Sequence, residues 1–292
     1  MNFKKVAKML LSCVMAGALF AGCGGEQVAD KPSKNFSGDA VRLGMITPLN
    51  STEKIMEDIL VKFEEKADIK ASEKVPHSVP KFFDSLQLMQ MGIESGNIDA
   101  ISLYNSVAAY VVTTNDKFEL VPNPALNKIS YSFCFAVRKN DAQLKTDLDK
   151  IVDDMKADGS LDKLINDYII GVDANNIPKV EIPKIDGAET LKVGITGDLP
   201  PLDLILPDNS PAGFNTAMLA EVSKRLNKNI EIVQIESGSR ATALNSKLID
   251  VVFWAIVPFG NDDIPANIDK PEGVEFSAPY FKDNVAQIKL KK

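Results

Sequence analysis

From residue 41 onward, short apolar runs of strand length alternate with stretches whose apolar residues return every three or four positions. That alternation marks an α/β chain. Residues 41–46 read as the first strand. Ser51 or Thr52 then caps a helix running to about residue 66, with Ile55, Ile59, Leu60 and Phe63 on one face. The pattern next predicts a helix over 82–95 ended by Gly96-Asn97, a strand over 98–103 and a short helix over 106–113. A strand covers 130–139, and helices over 144–155 and 161–170 flank Asp158-Gly159-Ser160. Residues 171–190 break the rhythm with Asn175-Asn176, Pro178, Pro183 and Gly187, and read as a linker. The alternation resumes with strands over 191–196, 230–235 and 250–257 and helices over 213–226 and 241–247. Residues 276–280 lead into a final strand.

The first 40 residues have a different character. Lys4, Lys5 and Lys8 precede an apolar, small-residue run over 9–22, too short for a membrane-spanning helix and suited to a signal peptide. It ends Leu19-Phe20-Ala21-Gly22-Cys23, which resembles a bacterial lipobox. That resemblance implies a lipid on Cys23 and localisation in the cell envelope, facing periplasm or exterior and held to the lipid bilayer. Residues 23–40 then form a flexible tether rich in Gly, Ser and Lys.

Charge and side-chain chemistry narrow the function. The formal net charge is −7, with no basic cluster past residue 8, which argues against nucleic acid as a partner. Three cysteines cannot build a disulfide framework, and Cys134 sits in an apolar run as a packing residue. The single histidine, His77, lies between Pro76 and Pro80 and reads as a surface-loop residue. One histidine, no nucleophile elbow and no phosphate loop argue against an enzyme, and no cofactor or metal is expected.

Two stretches look alike, Ile93-Glu94-Ser95-Gly96-Asn97-Ile98-Asp99-Ala100 and Ala243-Leu244-Asn245-Ser246-Lys247-Leu248-Ile249-Asp250: helix end, tight turn, buried strand opened by Asp. With Pro200-Pro201, Gly213-Phe214, Ser239-Arg240, Phe276-Ser277-Ala278-Pro279-Tyr280, Arg138-Lys139 and Asp158-Gly159, they resemble the solute-binding proteins of polar amino acid ABC importers. The resemblance implies an α/β, two-lobe, type II periplasmic-binding-protein-like fold. Each lobe would be a mixed sheet flanked by helices, with two hinge strands joining them. It implies a monomer that closes on a small-molecule ligand by hinge motion and hands it to an ABC permease.

The motifs stand in an unusual order: the segment of the second lobe and the Asp-Gly helices come before the segment of the first lobe. A circular permutation accounts for this, with residues 41–132 plus 284–292 as the second lobe, 133–283 as the first, and 171–190 joining the usual termini. The alternative is two truncated tandem domains.

Carried over singly, the family's clamp positions are all changed. The Arg that grips the ligand carboxylate falls within 256–262, where Asp262 stands closest; the second-lobe Asp becomes Tyr104; the cleft aromatic becomes Leu199; the first-strand acid becomes Thr196. Three outcomes stay open: a different small molecule, an amino acid held by new contacts such as Arg240, or loss of solute binding in a sensor or interaction lipoprotein. Trp254, Phe259 and Tyr104 are candidates for an aromatic box, with Ala255 and Asn105 beside them. The alternative for Trp254 is core packing. Asn50, Ser51 and Thr52 open a helix whose free N–H groups suit an anion, or simply cap it. Ser237 and Arg240 precede a helix beside the cleft, where Arg240 has the alternative of a surface ion pair. Asp99 and Asp250 read as structural.

Overall fold

The structure, a computed structural model, describes residues 40–66, 77–123, 126–259 and 264–292. The expected signal peptide, Cys23, the tether before residue 40, and Asp262 lie outside the described residues.

Strand β1 (Val41–Ile46) runs parallel to β2 (Ser78–Phe83) on one side and β3 (Ala100–Tyr104) on the other. The connections carry α1 (Glu53–Lys66) and α2 (Leu86–Glu94), and α3 (Asn105–Thr114) follows β3 at once before β4 (Phe118–Val121). Beyond a linking strand, the same arrangement recurs. Strand β6 (Thr190–Ile195) lies parallel to β10 (Asn229–Gln234) and to β11 (Val251–Phe259), with α6 (Gly213–Leu226) and α7 (Arg240–Asn245) in the connections. These two groups are the β1 lobe and the β6 lobe. Parallel strands buried by helices on their faces need nearly continuous apolar sequence, and β3 and the first half of β11 are buried at every residue.

The lobes share two strands. In the β6 lobe, β5 (Ser130–Arg138) pairs antiparallel with β11 and carries the short β12 (Val274–Phe276) on its far side. In the β1 lobe, β13 (Phe281–Leu290) pairs antiparallel with β3 and carries β4. The two crossing strands pair with each other from Phe281 opposite Phe133 to Asn284 opposite Ser130. The main order is therefore β10-β6-β11-β5-β13-β3-β1-β2, one lobe the repeat of the other. A two-lobe fold with two hinge strands is what the chain adopts.

The repeat extends to single hydrogen bonds. Asp99 accepts from the backbone N–H of Arg42, and Asp250 from that of Lys192, at 2.8 and 3.0 Å. Each Asp also donates its own N–H to the carbonyl of that partner. The two aspartates pin the third strand of each lobe to the first, a structural role.

After β5, α4 (Ala142–Ala157) and α5 (Ser160–Ile165), with the π-helical turn Asn166–Ile170, pack on the β6 lobe. Residues 171–189 follow as turns and extended chain with one isolated bridge, Lys179 to Ala212. A small antiparallel sheet of β7 (Asp198–Leu199), β8 (Asp203–Ile205) and β9 (Pro211–Ala212) follows β6. Among the described residues no helix is long and apolar enough to cross a membrane.

Several expectations need correction. Residues 82–83 belong to β2, and the helix begins only at Leu86. Pro80 hides that strand from pattern reading, because proline is excluded from strand interiors but tolerated on an edge. β2 is an edge, and the outward N–H groups on either side of Pro80 are taken by α1: Ser78 donates to Glu64 and Phe82 to Glu53. Ile55 faces solvent and Met56 takes the core position beside Ile59, Leu60 and Phe63. Cys134 is buried, and burial pushes its thiol pKa up to about 12, so it packs as a small apolar group.

His77 is not a free loop residue. Its ring nitrogens lie 3.2 Å from Glu64 and 3.0 Å from Glu57. Burial lowers its pKa, but the hydrogen bonds and charges of the two glutamates outweigh that and leave it above the usual value of 6.5. A cation so held stabilises the fold fully below the unfolded pKa, and the contribution is lost as pH rises through the higher folded pKa. Thermal midpoints between pH 6 and 8 are therefore expected to fall more for the wild type than for His77→Gln; parallel profiles would remove this role.

Candidate functional site

The loops that follow the parallel strands of one lobe meet those of the other, so the starts of several helices face each other across the cleft. The first four N–H groups of a helix lack internal partners, and each such start needs an acceptor. Here the acceptors are carboxylates supplied from elsewhere in the chain. Asp269, in the loop before β12, accepts from the N–H groups of Leu49, Asn50 and Ser51 at 3.1, 2.8 and 3.1 Å, just ahead of α1. Asp198 accepts from Leu86 at 2.7 Å, at the start of α2. Asp84 of the β1 lobe accepts from Gly238 at 3.0 Å, in the 3-10 turn Ser237–Ser239 before α7, and its carbonyl accepts from Ser237. Asp283 of β13 accepts the N–H and hydroxyl of Ser106, at the start of α3.

Arg240 lies at the centre and is 1% exposed. Its Nε donates to the carbonyl of Ser237 at 2.9 Å, one Nη to that of Trp254 at 3.0 Å, and the other to that of Thr47 across the cleft at 2.8 Å. The guanidinium carbon stands 3.8 Å from the centre of the Trp254 ring, a cation–π contact. Burial lowers the Arg240 pKa, while Asp269, Tyr104, Asp203 and Asp198 oppose the fall. Guanidinium stays charged in proteins, so the cleft holds a buried cation whose compensating acids surround it at longer range.

Trp254 reaches this position through a bulge. The register between β11 and β5 shifts between Val252 and Ala255, and bulges re-aim side chains. Its ring meets Tyr104 edge-on at 6.0 Å, and Tyr104 packs edge-on to Phe133 at 4.7 Å and Tyr131 at 6.4 Å. An aromatic cluster does span the lobes, with Tyr131 and Phe133 where Phe259 was expected. Phe259 is 47% exposed at the end of β11, beneath the Lys282 ammonium 3.6 Å away.

Of the residues singled out from sequence, Asn50, Ser51, Tyr104, Ser237, Arg240 and Trp254 come together in the cleft. Ser51 turns its hydroxyl to the carbonyl of Ile268 and is buried; Asn50 and Thr52 are exposed, and Thr52 caps α1 through the N–H of Ile55. Thr196 does not face a solute: its N–H and hydroxyl both donate to Asp203. Burial pushes the Asp203 pKa up to about 6 and raises that of Asp198. Leu199 and Ala255 are buried packing residues. Asn105 lies away from Arg240 on the rim of an open groove of about 990 Å³ between α3 and α5. Arg240 is buried and makes no ion pair among the described residues, contrary to the surface alternative. Sequence reasoning missed Asp269, Asp84 and Thr47, which sit in loops without periodicity, and Asp198, which opens the two-residue strand β7.

The space left in the closed cleft is small. One cavity of about 50 Å³ is bounded by Met45, Thr47, Tyr104, Arg240, Trp254 and Asp269, and another of about 10 Å³ by Leu199, Asp203, Asn215 and Trp254. Trp254 Nε1, Asn215 Nδ2, Ser237 Oγ and one oxygen each of Asp198 and Asp203 are buried without a protein partner.

Replacing Arg240 with Met strips three buried carbonyls of a charged donor. A loss of about 3–5 kcal/mol in urea-determined stability is expected; a loss under about 1 kcal/mol would show that Arg240 is dispensable to the folded cleft.

Residues 191–291 match the family described as bacterial extracellular solute-binding proteins, family 3. No curated protein matches the chain. Among solved structures, the chain is similar to the ligand-binding component of an ABC-type import system from Staphylococcus aureus, determined with zinc bound. They are 11% identical with a TM-score of 0.41, covering 87% of this chain and 66% of that one. A glutamate-bound GluR0 ligand-binding core from Nostoc punctiforme is 12% identical with a TM-score of 0.34, covering 86% and 85%. The aliphatic sulphonate-binding protein SsuA from Escherichia coli is 11% identical with a TM-score of 0.35, covering 87% and 66%. The chain thus spans just under two thirds of the length of the first and third. These likenesses carry nothing about a ligand. The match covers residues 191–291, from strand β6 through β13, and it is over this part that the chain resembles the bacterial extracellular solute-binding proteins, family 3.

Proposed function

We propose that the chain is a lipid-anchored substrate-binding protein of an ABC importer. It takes a small polar solute, an amino acid or a related molecule, between the lobes and delivers it to a membrane permease. The observation that carries this reading is the architecture of the cleft: two lobes of matching strand order, joined only by β5 and β13 among their strands, with helix starts and an aromatic cluster facing inward. Such a pair of strands suits hinge closure around a solute. The basic, apolar and small-residue sequence ending at Cys23 supports the anchor.

The lobe assignment behind this reading is a circular permutation, with 41–132 plus 284–292 in one lobe and 133–283 in the other. Three features support it. Strand β5 enters the β6 lobe before any of its parallel strands, β13 leaves it after all of them, and the irregular stretch between α5 and β6 stands where the usual termini would be joined. Strands β1 and β13 flank β3 in one lobe.

The second reading, a sensor or interaction lipoprotein without a transported solute, is favoured by the filled cleft. Ligand sites occupy about 300–1,000 Å³, against about 50 Å³ beside Arg240 and Trp254; the larger space, about 990 Å³, is the open groove between α3 and α5. A thermal-shift screen of amino acids, their derivatives, small organic acids and nucleosides separates the two. Importer function predicts a stabilisation of about 2.7 kcal/mol at a hundredfold excess over Kd for one chemical class. A flat response across the panel would favour the second reading.

A further inference from the structure

The loop before β12 inserts a carboxylate where a solute's anionic group would bridge the lobes. The peptide N–H groups of Leu49, Asn50 and Ser51 converge on the two oxygens of Asp269. Two further bonds fix the loop on the turn ahead of α1: the Ser51 hydroxyl donates to the carbonyl of Ile268 at 3.1 Å, and the Asn50 amide to that of Lys270 at 3.4 Å. The loop is shaped before it docks. Pro265 and Pro271 bracket it, and turns close from Ile268 to Pro265 and from Lys270 to Asn267. Asp269 is 4% exposed, though it comes from a stretch with no strand or helix of its own. Burial lowers the pKa of the Arg240 guanidinium, and the charge of Asp269 opposes that fall.

We infer that Leu49–Ser51 form a carboxylate-binding site occupied in cis by Asp269, which acts as a tethered ligand and holds the lobes shut without a solute. Three peptide donors at a helix start, converging on a buried position beside a buried cation, are the recognition chemistry of a carboxylate. The three peptide donors are used by a side chain of the protein itself, and three of the five Arg240 N–H donors by carbonyls. A carboxylate-bearing solute therefore enters only by displacing Asp269, whereas an uncharged or cationic solute leaves it in place. This goes beyond the solute-binding reading and holds for the chain with or without a transported solute.

The test removes the tethered group and supplies it free. Asp269→Ala is made in the full chain, its fold checked by circular dichroism, and its thermal midpoint measured with sodium formate against sodium chloride at matched ionic strength. The midpoint of the variant is expected to lie below the wild type and to rise with formate by about 3–6 °C at a tenfold excess over the formate Kd. The wild type is expected to respond to neither salt. Formate that moves the variant no further than chloride does, or moves the wild type as much, overturns the inference. Should Asp269→Ala fail to fold, Asp269→Asn, which keeps one acceptor oxygen, is compared with the wild type: a lowered midpoint supports the tethered carboxylate and an unchanged one overturns it. A flat solute screen of the wild type leaves these outcomes untouched, so the two readings fail separately.

Discussion

Helix starts that face each other across an interface must find hydrogen-bond acceptors, and this demand organises the structure. A strand that runs into a helix leaves peptide N–H groups pointing out of its lobe, here towards the other lobe. Leaving one such group buried and unpaired costs about 1–3 kcal/mol, and hydrogen bonds to charged acceptors contribute about 1.5–3 kcal/mol each. Asp269, Asp198 and Asp84 meet the demand between the lobes, and Asp283 does so from the shared strand β13. The buried cation nearby, Arg240, is opposed in charge by Asp269 and Asp198 and donates to carbonyls from both lobes. The interface is thus polar at its rim and aromatic at its centre, around Tyr104 and Trp254.

This gives the hinge strands a particular task. Among the described residues only β5 and β13 join the lobes by strand pairing, and two strands alone resist bending weakly. The closed arrangement therefore rests on contacts that a solute would otherwise make. Two lobes that satisfy one another in this way have less to gain from a ligand, because population shift follows only differential affinity. A solute that closes such a protein further has little left to contribute; one that opens it by competing with a single carboxylate has a clear route.

Much of the fold was legible because its determinants are local. Helix α6 spans the predicted residues, and β1 and the irregular stretch 171–189 lie where apolar runs, Gly and Pro placed them. The duplicated turn before Asp99 and Asp250 pointed to the repeat, and both aspartates make the same bond. Strand β2 was hidden by Pro80, whose edge position depends on which strands pair, and β4 and β7–β9 are too short to carry a pattern. On α1, adjacent Ile55 and Met56 offered two phases of one helical face, and packing chose Met56. The cleft was half legible. Arg240, Trp254 and Tyr104 stood out by residue type, but the partner of the α1 amides lies about 220 residues away in sequence. No periodicity announces Asp269, and its role exists only once the lobes meet.

The most direct measurement is the distance between the lobes in the absence of solute, by double electron–electron resonance between spin labels at Ser95→Cys and Ser246→Cys, exposed sites beyond α2 and α7. A lobe pair closed on Asp269 gives one narrow distribution matching the structure, unchanged by uncharged or cationic solutes. A broad distribution centred at a longer distance, narrowing only when a solute is added, would contradict closure by the protein's own carboxylate.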